Sequence, residues 1–230
     1  MQHIVVLSGA GISAESGIKT FRDADGLWEG HDVMEVASPL GWHKNKELVL
    51  NFYNKRRAQL LNVLPNEAHI SLAKLEKYYN VTVITQNVDD LHERAGSTNI
   101  LHLHGELLKV RSTVYPELIY EWKSDLKLGD LCKKNEQLRP HIVWFGEEVP
   151  LLEKAIEITT KADILIIVGT SMQVYPAANL IHYVKKGIPI YFVDPKPAIK
   201  SSAFLNLTVI SKKATEGLVL LTKELILKSL

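Results

Sequence analysis

Short, nearly continuous apolar runs rich in β-branched residues punctuate the chain: "HIVVLS" at 3–8, "VTVITQ" at 81–86, "ILIIVG" at 164–169, "IPIYFV" at 188–193 and "LTVIS" at 207–211. They do not alternate with polar residues, so each reads as a strand covered on both faces. Helical spacing separates them, notably over 66–79, 151–161, 176–186 and 215–229. Strand and helix in turn predict an α/β fold, a parallel sheet wound with helices on both faces. Two stretches break the rhythm, 20–64 and the polar, irregular 106–138, and both are expected to form a smaller inserted module over the ligand-binding edge of the sheet.

A further helix is predicted over 48–61, "LVLNFYNKRRAQLL". At about 100° per residue, with Leu48 at zero, Phe52, Val63, Val49, Leu60, Tyr53 and Leu64 fall within an apolar arc of roughly 40° to 160°. Lys55, near 340°, and Arg57, near 180°, lie at or beyond its edges, whereas Arg56, near 80°, sits in its middle. A guanidinium there requires an anionic partner or a stem that snorkels to water. Helical geometry alone leaves open whether that partner is a structural acid or a ligand.

Composition narrows the field. The chain has 230 residues, 46% of them hydrophobic, enough for one sizeable core with an appended module. A net charge of +1 provides no field for nucleic acid or an anionic membrane. No apolar run approaches the length of a bilayer span, and the start "MQHIVVLSGAG" enters a strand directly, so a cytoplasmic protein is expected. The lone Cys132 excludes an intrachain disulfide and suits a reducing compartment.

The candidate chemistry sits at strand ends. In "VVLSGAGISAESG", Gly9 and Gly11 follow the first strand and suit close approach of backbone N–H groups to a pyrophosphate; the spacing equally fits a plain tight turn. Gly169, Thr170 and Ser171, in "VGTSMQVYPAANL", form a second such turn, and two turns at strand C-termini favour a ligand lying across the switch point of the sheet. "VITQNVDDLHERAG" ends in a polar cluster of Gln86, Asn87, Asp89, Asp90 and His92, followed by "LHLHGEL" with His104. Imidazole is the usual general base for a hydroxyl, although a lone histidine is often structural.

"GAGISAESGIKTFRDADGLW", "TQNVDDLHERAG", "LHLHGE", "RPHIVWFGE" and "VGTSMQVYPAANL", in this order from Val5 to about Gly217, together resemble the sirtuins, NAD-dependent protein lysine deacylases. The resemblance implies one catalytic domain: a Rossmann-like part over about 1–22, 65–105 and 140–230, and a small module over about 23–64 and 106–139. It assigns the cofactor to Gly9, Ala10, Gly11, Ser13, Glu15, Phe21, Arg22, Gln86, Asn87, Asp89, Gly169, Thr170, Ser171, Asp194 and Ala214. His104 and Asn87 become the catalytic pair, with His104 the base on the ribose hydroxyls. The implied reaction takes an acyl-lysine protein or peptide and NAD to free lysine, nicotinamide and 2′-O-acyl-ADP-ribose. Val143, Trp144, Phe145 and Gly146 would pair with the substrate backbone by strand addition.

This sequence departs from the family in two places. Most sirtuins hold a structural zinc with four cysteines, but the corresponding stretches here read "LLKVRSTVYPE" and "LCKKNEQLRP", leaving Cys132 alone. One thiolate cannot close a tetrahedral site, and His102, His104 and His141 are poorly placed substitutes. A zinc-free module packed by Tyr115, Leu118, Tyr120 and Trp122 is therefore expected. Asp194 stands where the family usually has Asn beside the adenosine ribose.

The members that remove succinyl, malonyl or glutaryl groups carry a Tyr-x-x-Arg pair on the helix corresponding to 48–61, matched here by Tyr53 and Arg56, with Ala37 at the pocket floor. The anion that Arg56 requires then becomes the distal carboxylate of the substrate, recognised by a planar guanidinium fork and a phenol. Desuccinylation and demalonylation are expected, with acetyl groups also accepted. NAD glycohydrolysis or mono-ADP-ribosyl transfer, and more remotely NAD(P)-dependent oxidoreduction or non-catalytic binding, are the rival functions.

Overall fold

The computed structural model describes residues 1–19, 27–28 and 30–229. Its principal sheet is six-stranded, with strands β1 (His3–Ser8), β4 (Asn80–Thr85), β5 (Ile100–His102), β9 (Ile164–Val168), β10 (Ile190–Val193) and β11 (Leu207–Ile210) in the order β11-β10-β9-β1-β4-β5. Every pairing is parallel; Ile4 lies between Val81 and Ile164. The chain runs outward from β1 through β4 to β5, then returns to the other side of β1 for β9. Strand order therefore reverses between β1 and β9, and a crevice opens beyond their carboxyl ends.

The uninterrupted apolar runs are explained by two cores. On one face Ile4, Val6, Val83 and Ile166 pack against α4 (Glu67–Leu75) and α7 (Ala214–Ser229). On the other, Val5, Leu7, Ile84 and Ile167 meet α6 (Leu152–Thr160) and the Ala177–Tyr183 segment. That segment is a 3-10 helix, not the α-helix that apolar spacing over 176–186 suggests. The helix expected over 66–79 ends at Leu75, and only turns continue to the next strand.

A third core belongs to α1 (Val33–Val36), α2 (Pro39–Lys44), α3 (Lys46–Asn62) and an antiparallel sheet of β6 (Gly105–Ser112), β7 (Ile119–Glu121) and β8 (Leu138–Ile142), in the order β7-β6-β8. The stretch 106–138 is thus less irregular than its composition implies: outward Lys109, Arg111 and Glu121 mask the strand signal, while Leu107 and Val110 face inward. A short antiparallel pair, β2 (Leu27–Trp28) and β3 (His31–Asp32), adjoins α1. Leu118, Tyr120 and Trp122 pack against this third core, whereas Tyr115 does not join it and lies 3.7 Å from the Lys134 ammonium. Cys132 is buried, with its thiol directed at the Ser112 hydroxyl. Among the described residues no three His, Cys, Asp or Glu side chains are grouped to hold a metal, and no helix is long and apolar enough to cross a membrane.

Candidate active site

The turns after β1 and β9 touch. Gly9 N–H donates to the Val168 carbonyl at 3.0 Å and Gly11 N–H to the Gly169 carbonyl at 2.8 Å. A Cβ on Gly11 would lie 2.7 Å from the Gly169 Cα, and one on Gly169, itself at φ +62°, would lie 2.3 Å from the Ile12 nitrogen. The glycines thus allow backbone to meet backbone, with the Gly9 and Gly11 amides satisfied by the neighbouring strand end. Ala10 is half-buried in the same turn, and the exposed Glu15 accepts from the amide and hydroxyl of Thr215, tying this loop to the start of α7 beside buried Ala214.

Beneath these turns lies a polar cluster. The Ser13 hydroxyl donates to Asp89 Oδ2 at 3.0 Å and accepts from the Asn87 side-chain amide at 3.1 Å; all three residues are buried. His69, on α4, sets its Nδ1 against Asn66, 3.3 Å from the backbone amide and 3.1 Å from the side-chain oxygen, and its Nε2 3.4 Å from the Ser13 oxygen. Burial pushes the His69 pKa down to about 4 and the Asp89 carboxyl up to about 6; Ser13, the Leu91 amide and the charge of His102 oppose the rise at Asp89. A second buried set, Ser8, Thr85 and His92, backs the cluster, with Ser8 Oγ 2.9 Å from both partners. The Gln86 side chain donates to the Thr170 hydroxyl at 3.2 Å and joins the two strand ends; half-buried Ser171 follows. Asp194, buried at the end of β10, accepts from the Lys196 amide at 2.8 Å.

His104 is half-buried between β5 and β6. Its Nδ1 lies 3.0 Å from the Gln86 carbonyl, which can only accept, so Nδ1 carries the proton and Nε2 presents a lone pair. Burial lowers its pKa, against the opposing effect of that carbonyl, so the ring is neutral at physiological pH. The following Gly105, at φ +83°, lets β6 approach β8: a Cβ there would lie 2.0 Å from the His141 carbonyl.

From His104 the chain reaches the 143–146 segment through the Val143 amide, which donates to the His104 carbonyl at 2.9 Å. The Phe145 amide donates to the carbonyl of buried Ala37 at 2.9 Å, and the Trp144 amide to Glu147 Oε2 at 2.8 Å. Three amides of the candidate peptide edge are therefore engaged internally; Phe145 and Gly146 are exposed. Trp144 is buried, its ring 3.3 Å from the Arg139 guanidinium carbon, and its Nε1–H donates to the Tyr53 hydroxyl at 2.9 Å. Burial raises the Tyr53 pKa well above its ordinary value, so the phenol keeps its proton. Arg56, one turn along α3, is buried as the helical count expects, 4.1 Å from the centre of a Trp28 ring.

Arg57 is a correction. The helical count puts it at the edge of the apolar arc, yet it is 1% exposed. Its guanidinium donates to Leu107 O at 3.1 Å, Asn54 Oδ1 at 2.8 Å and Ser124 O at 3.3 Å, because β6 and the 122–126 segment cover that flank of α3. Phe21 and Arg22 lie outside the described residues. The sequence reading missed His69, whose signal was available: Asn66 and His69 have capping-box spacing at the start of α4.

Known proteins share this arrangement. The Sir2 family profile matches residues 9–176. A "NAD-dependent protein deacylase" of Helicobacter pylori (strain ATCC 700392 / 26695) is 67% identical over 196 residues, covering 85% of this chain and 86% of that protein. One of the same description from Bacteroides thetaiotaomicron is 55% identical over 223 residues, covering 94% and 95%. Among solved structures, a Sir2 homologue–NAD complex superposes with a TM-score of 0.89 at 40% identity, over 99% of this chain and 91% of that one. A Sir2 protein bound to acetylated peptide gives 0.79 at 30% identity, over 96% and 92%. The chain belongs to the Sir2 family.

Proposed function

We propose that this protein is an NAD-dependent protein lysine deacylase. The observation that carries the reading is the neutral His104, its Nε2 lone pair set by the Gln86 carbonyl, beside the buried Ser13–Asn87–Asp89 cluster. The site suits NAD because a dinucleotide binds where strand order reverses, and here that place joins two glycine turns to buried amide, carboxylate and hydroxyl groups. NAD supplies a glycosidic bond to nicotinamide whose cleavage drives acyl transfer. The chain contributes the rest. Asn87 and Asp89 orient the ribose and carboxamide ends, His104 Nε2 takes a proton from a ribose hydroxyl, and the 143–146 segment aligns the peptide. With three of its amides engaged internally, that segment holds peptide through its remaining backbone groups.

We infer a preference for acidic acyl groups, with acetyl also accepted. Its support is the pairing on α3 of a protonated phenol with a buried guanidinium one turn away. The Trp144 indole donates to the phenol oxygen, which leaves the phenol's own hydrogen for a carboxylate. The test is to incubate protein and NAD with matched acetyl-, succinyl- and malonyl-lysine peptides and weigh the products. Arg56→Met should abolish desuccinylation while sparing most deacetylation; equal loss of both would make the arginine structural. Nicotinamide release independent of any acyl-peptide would instead establish a glycohydrolase, and absorbance growing at about 340 nm a hydride-transfer enzyme.

A further inference from the structure

The turn that carries Asn87 and Asp89 is held by one neighbouring segment. Three successive carbonyls, those of Gln86, Asn87 and Val88, accept from His104 Nδ1 at 3.0 Å, His102 Nδ1 at 3.1 Å and the Leu107 amide at 2.8 Å. Where parallel pairing of β4 with β5 stops, at Thr85 and His102, two imidazoles of period-two spacing replace the missing backbone rungs. The two rings differ in one respect. His104 leaves Nε2 without a hydrogen bond among the described residues, whereas His102 Nε2 lies 2.6 Å from Glu93 Oε1. A carbonyl at one nitrogen and a carboxylate at the other both require a hydrogen, so the geometry of His102 is that of an imidazolium.

We propose that His102, clamped as a cation between Glu93 and the Asn87 carbonyl, is a positioning residue for the deacylase reaction that fixes the Gln86–Asp89 turn for NAD. The inference rests on the deacylase reading for its consequence but not for its geometry. Glu93 is on α5 (Leu91–Arg94). The ring borders a cavity of about 230 Å³ whose other charged walls are Asp89 and Asp90 from the turn, Glu106 and Lys109 from β6, Glu121 from β7, and Lys123. Lys109 is taken up by Glu106 at 2.8 Å and reaches Glu121 at 3.8 Å, so Glu93 is the acid in contact with the ring. The Glu93 hydrogen bond and charge, helped by the Asn87 carbonyl and Glu106, outweigh burial and raise the His102 pKa. In turn the cation favours the charged form of buried Asp89, so its loss would both loosen the Asn87 carbonyl and raise the Asp89 pKa further.

Glu93→Gln separates charge from scaffold. A glutamine amide can donate to a neutral Nε2 and leave the Nδ1–H on Asn87, so the fold survives while the cation does not. Ring-nitrogen NMR on uniformly labelled full-length protein reads this directly. Both His102 nitrogens are expected to be mostly protonated in the wild type at the ordinary imidazole midpoint of about pH 6.5, and Glu93→Gln should titrate at lower pH than the wild type. In kinetics with an acetylated peptide, the alkaline limb of kcat/KM for NAD should move toward acid by about one pH unit or more in Glu93→Gln. His102→Ala should lose about ten-fold or more in kcat/KM for NAD with the peptide KM little changed. A ring found neutral in the wild type, superimposable pH profiles, or a His102→Ala value within about two-fold of wild type would overturn the proposal. If His102→Ala does not fold, Glu93→Gln decides the matter alone. A wild type that releases no nicotinamide with acylated peptide would sink the deacylase reading while leaving the NMR result intact.

Discussion

Asp89 should make the protein less stable as pH rises, and Asp89→Asn should remove that dependence. Burial raises this carboxyl from 3.8 to about 6 in the folded state. Between those values the native chain holds a proton that the unfolded chain has released, so stability falls as pH climbs through the window and levels off above it. The full difference is 2.2 units, or on the order of 3 kcal/mol. About half of that, roughly 1.4 kcal/mol, is lost between pH 5 and pH 8. Asparagine also disturbs the cluster, because its single oxygen cannot replace both carboxylate oxygens, one accepting from the Ser13 hydroxyl and the other from the Leu91 amide. That cost does not change with Asp89 ionisation, so comparing pH values removes it. Urea unfolding of wild type and variant from pH 5 to pH 8 is the assay. The stability difference should shift toward the variant by about 1.4 kcal/mol across the range. A difference that stays flat would show that Asp89 carries no burden of buried ionisation. On the function proposed above, the variant should also lose NAD turnover, so the pH at which it compares best with the wild type in stability is one where it is inactive.

Other substitutions probe the contacts around the site. Arg57→Leu should cost about 3–5 kcal/mol in urea unfolding, since it strands buried acceptors on β6 and the 122–126 segment; Arg57→Lys should cost less but still be measurable. Gly169→Ala should destabilise by at least about 2 kcal/mol and weaken NAD binding in calorimetry, because its Cβ would meet the Ile12 nitrogen at 2.3 Å. Glu147→Ala should speed amide hydrogen exchange at Trp144 about ten-fold or more, since Glu147 accepts that amide and pairs with Arg139 and Arg111.

The layered sheet was legible because its signal is local. A strand buried on both faces must be apolar throughout, and β1, β9, β10 and β11 each fall within a predicted run, while β4 shares Val81 to Thr85 with one. The antiparallel sheet was not legible, since β6 and β7 turn charged residues outward and β7 spans only three residues; β5, the parallel strand left out of the predicted runs, is equally short. Helix geometry handled Arg56 and failed for Arg57 for one reason. Angular position predicts burial against the bulk of the domain, but not under a distant segment folded over the helix flank. Ser124 is 67 positions from Arg57 in sequence, and no spacing rule on α3 encodes that meeting.

Within the candidate site, residue types were more legible than the work each residue does. Glycine after a strand suggested access for a ligand, but spacing did not show that Gly9, Gly11 and Gly169 also let two turns meet at the centre of the sheet. The histidines show the same limit. His102 and His104 are two residues apart, one ending β5 and the other in the turn before β6, and bind adjacent carbonyls through the same ring nitrogen. What separates them is the second nitrogen: one meets a carboxylate from α5, while the other has no hydrogen-bond partner among the described residues. A ring saturated on both sides cannot accept a proton, so of two neighbours alike in sequence only His104 has the lone pair that a general base requires. That distinction depends on where Glu93 arrives in space, which the spacing of "LHLHGEL" does not contain.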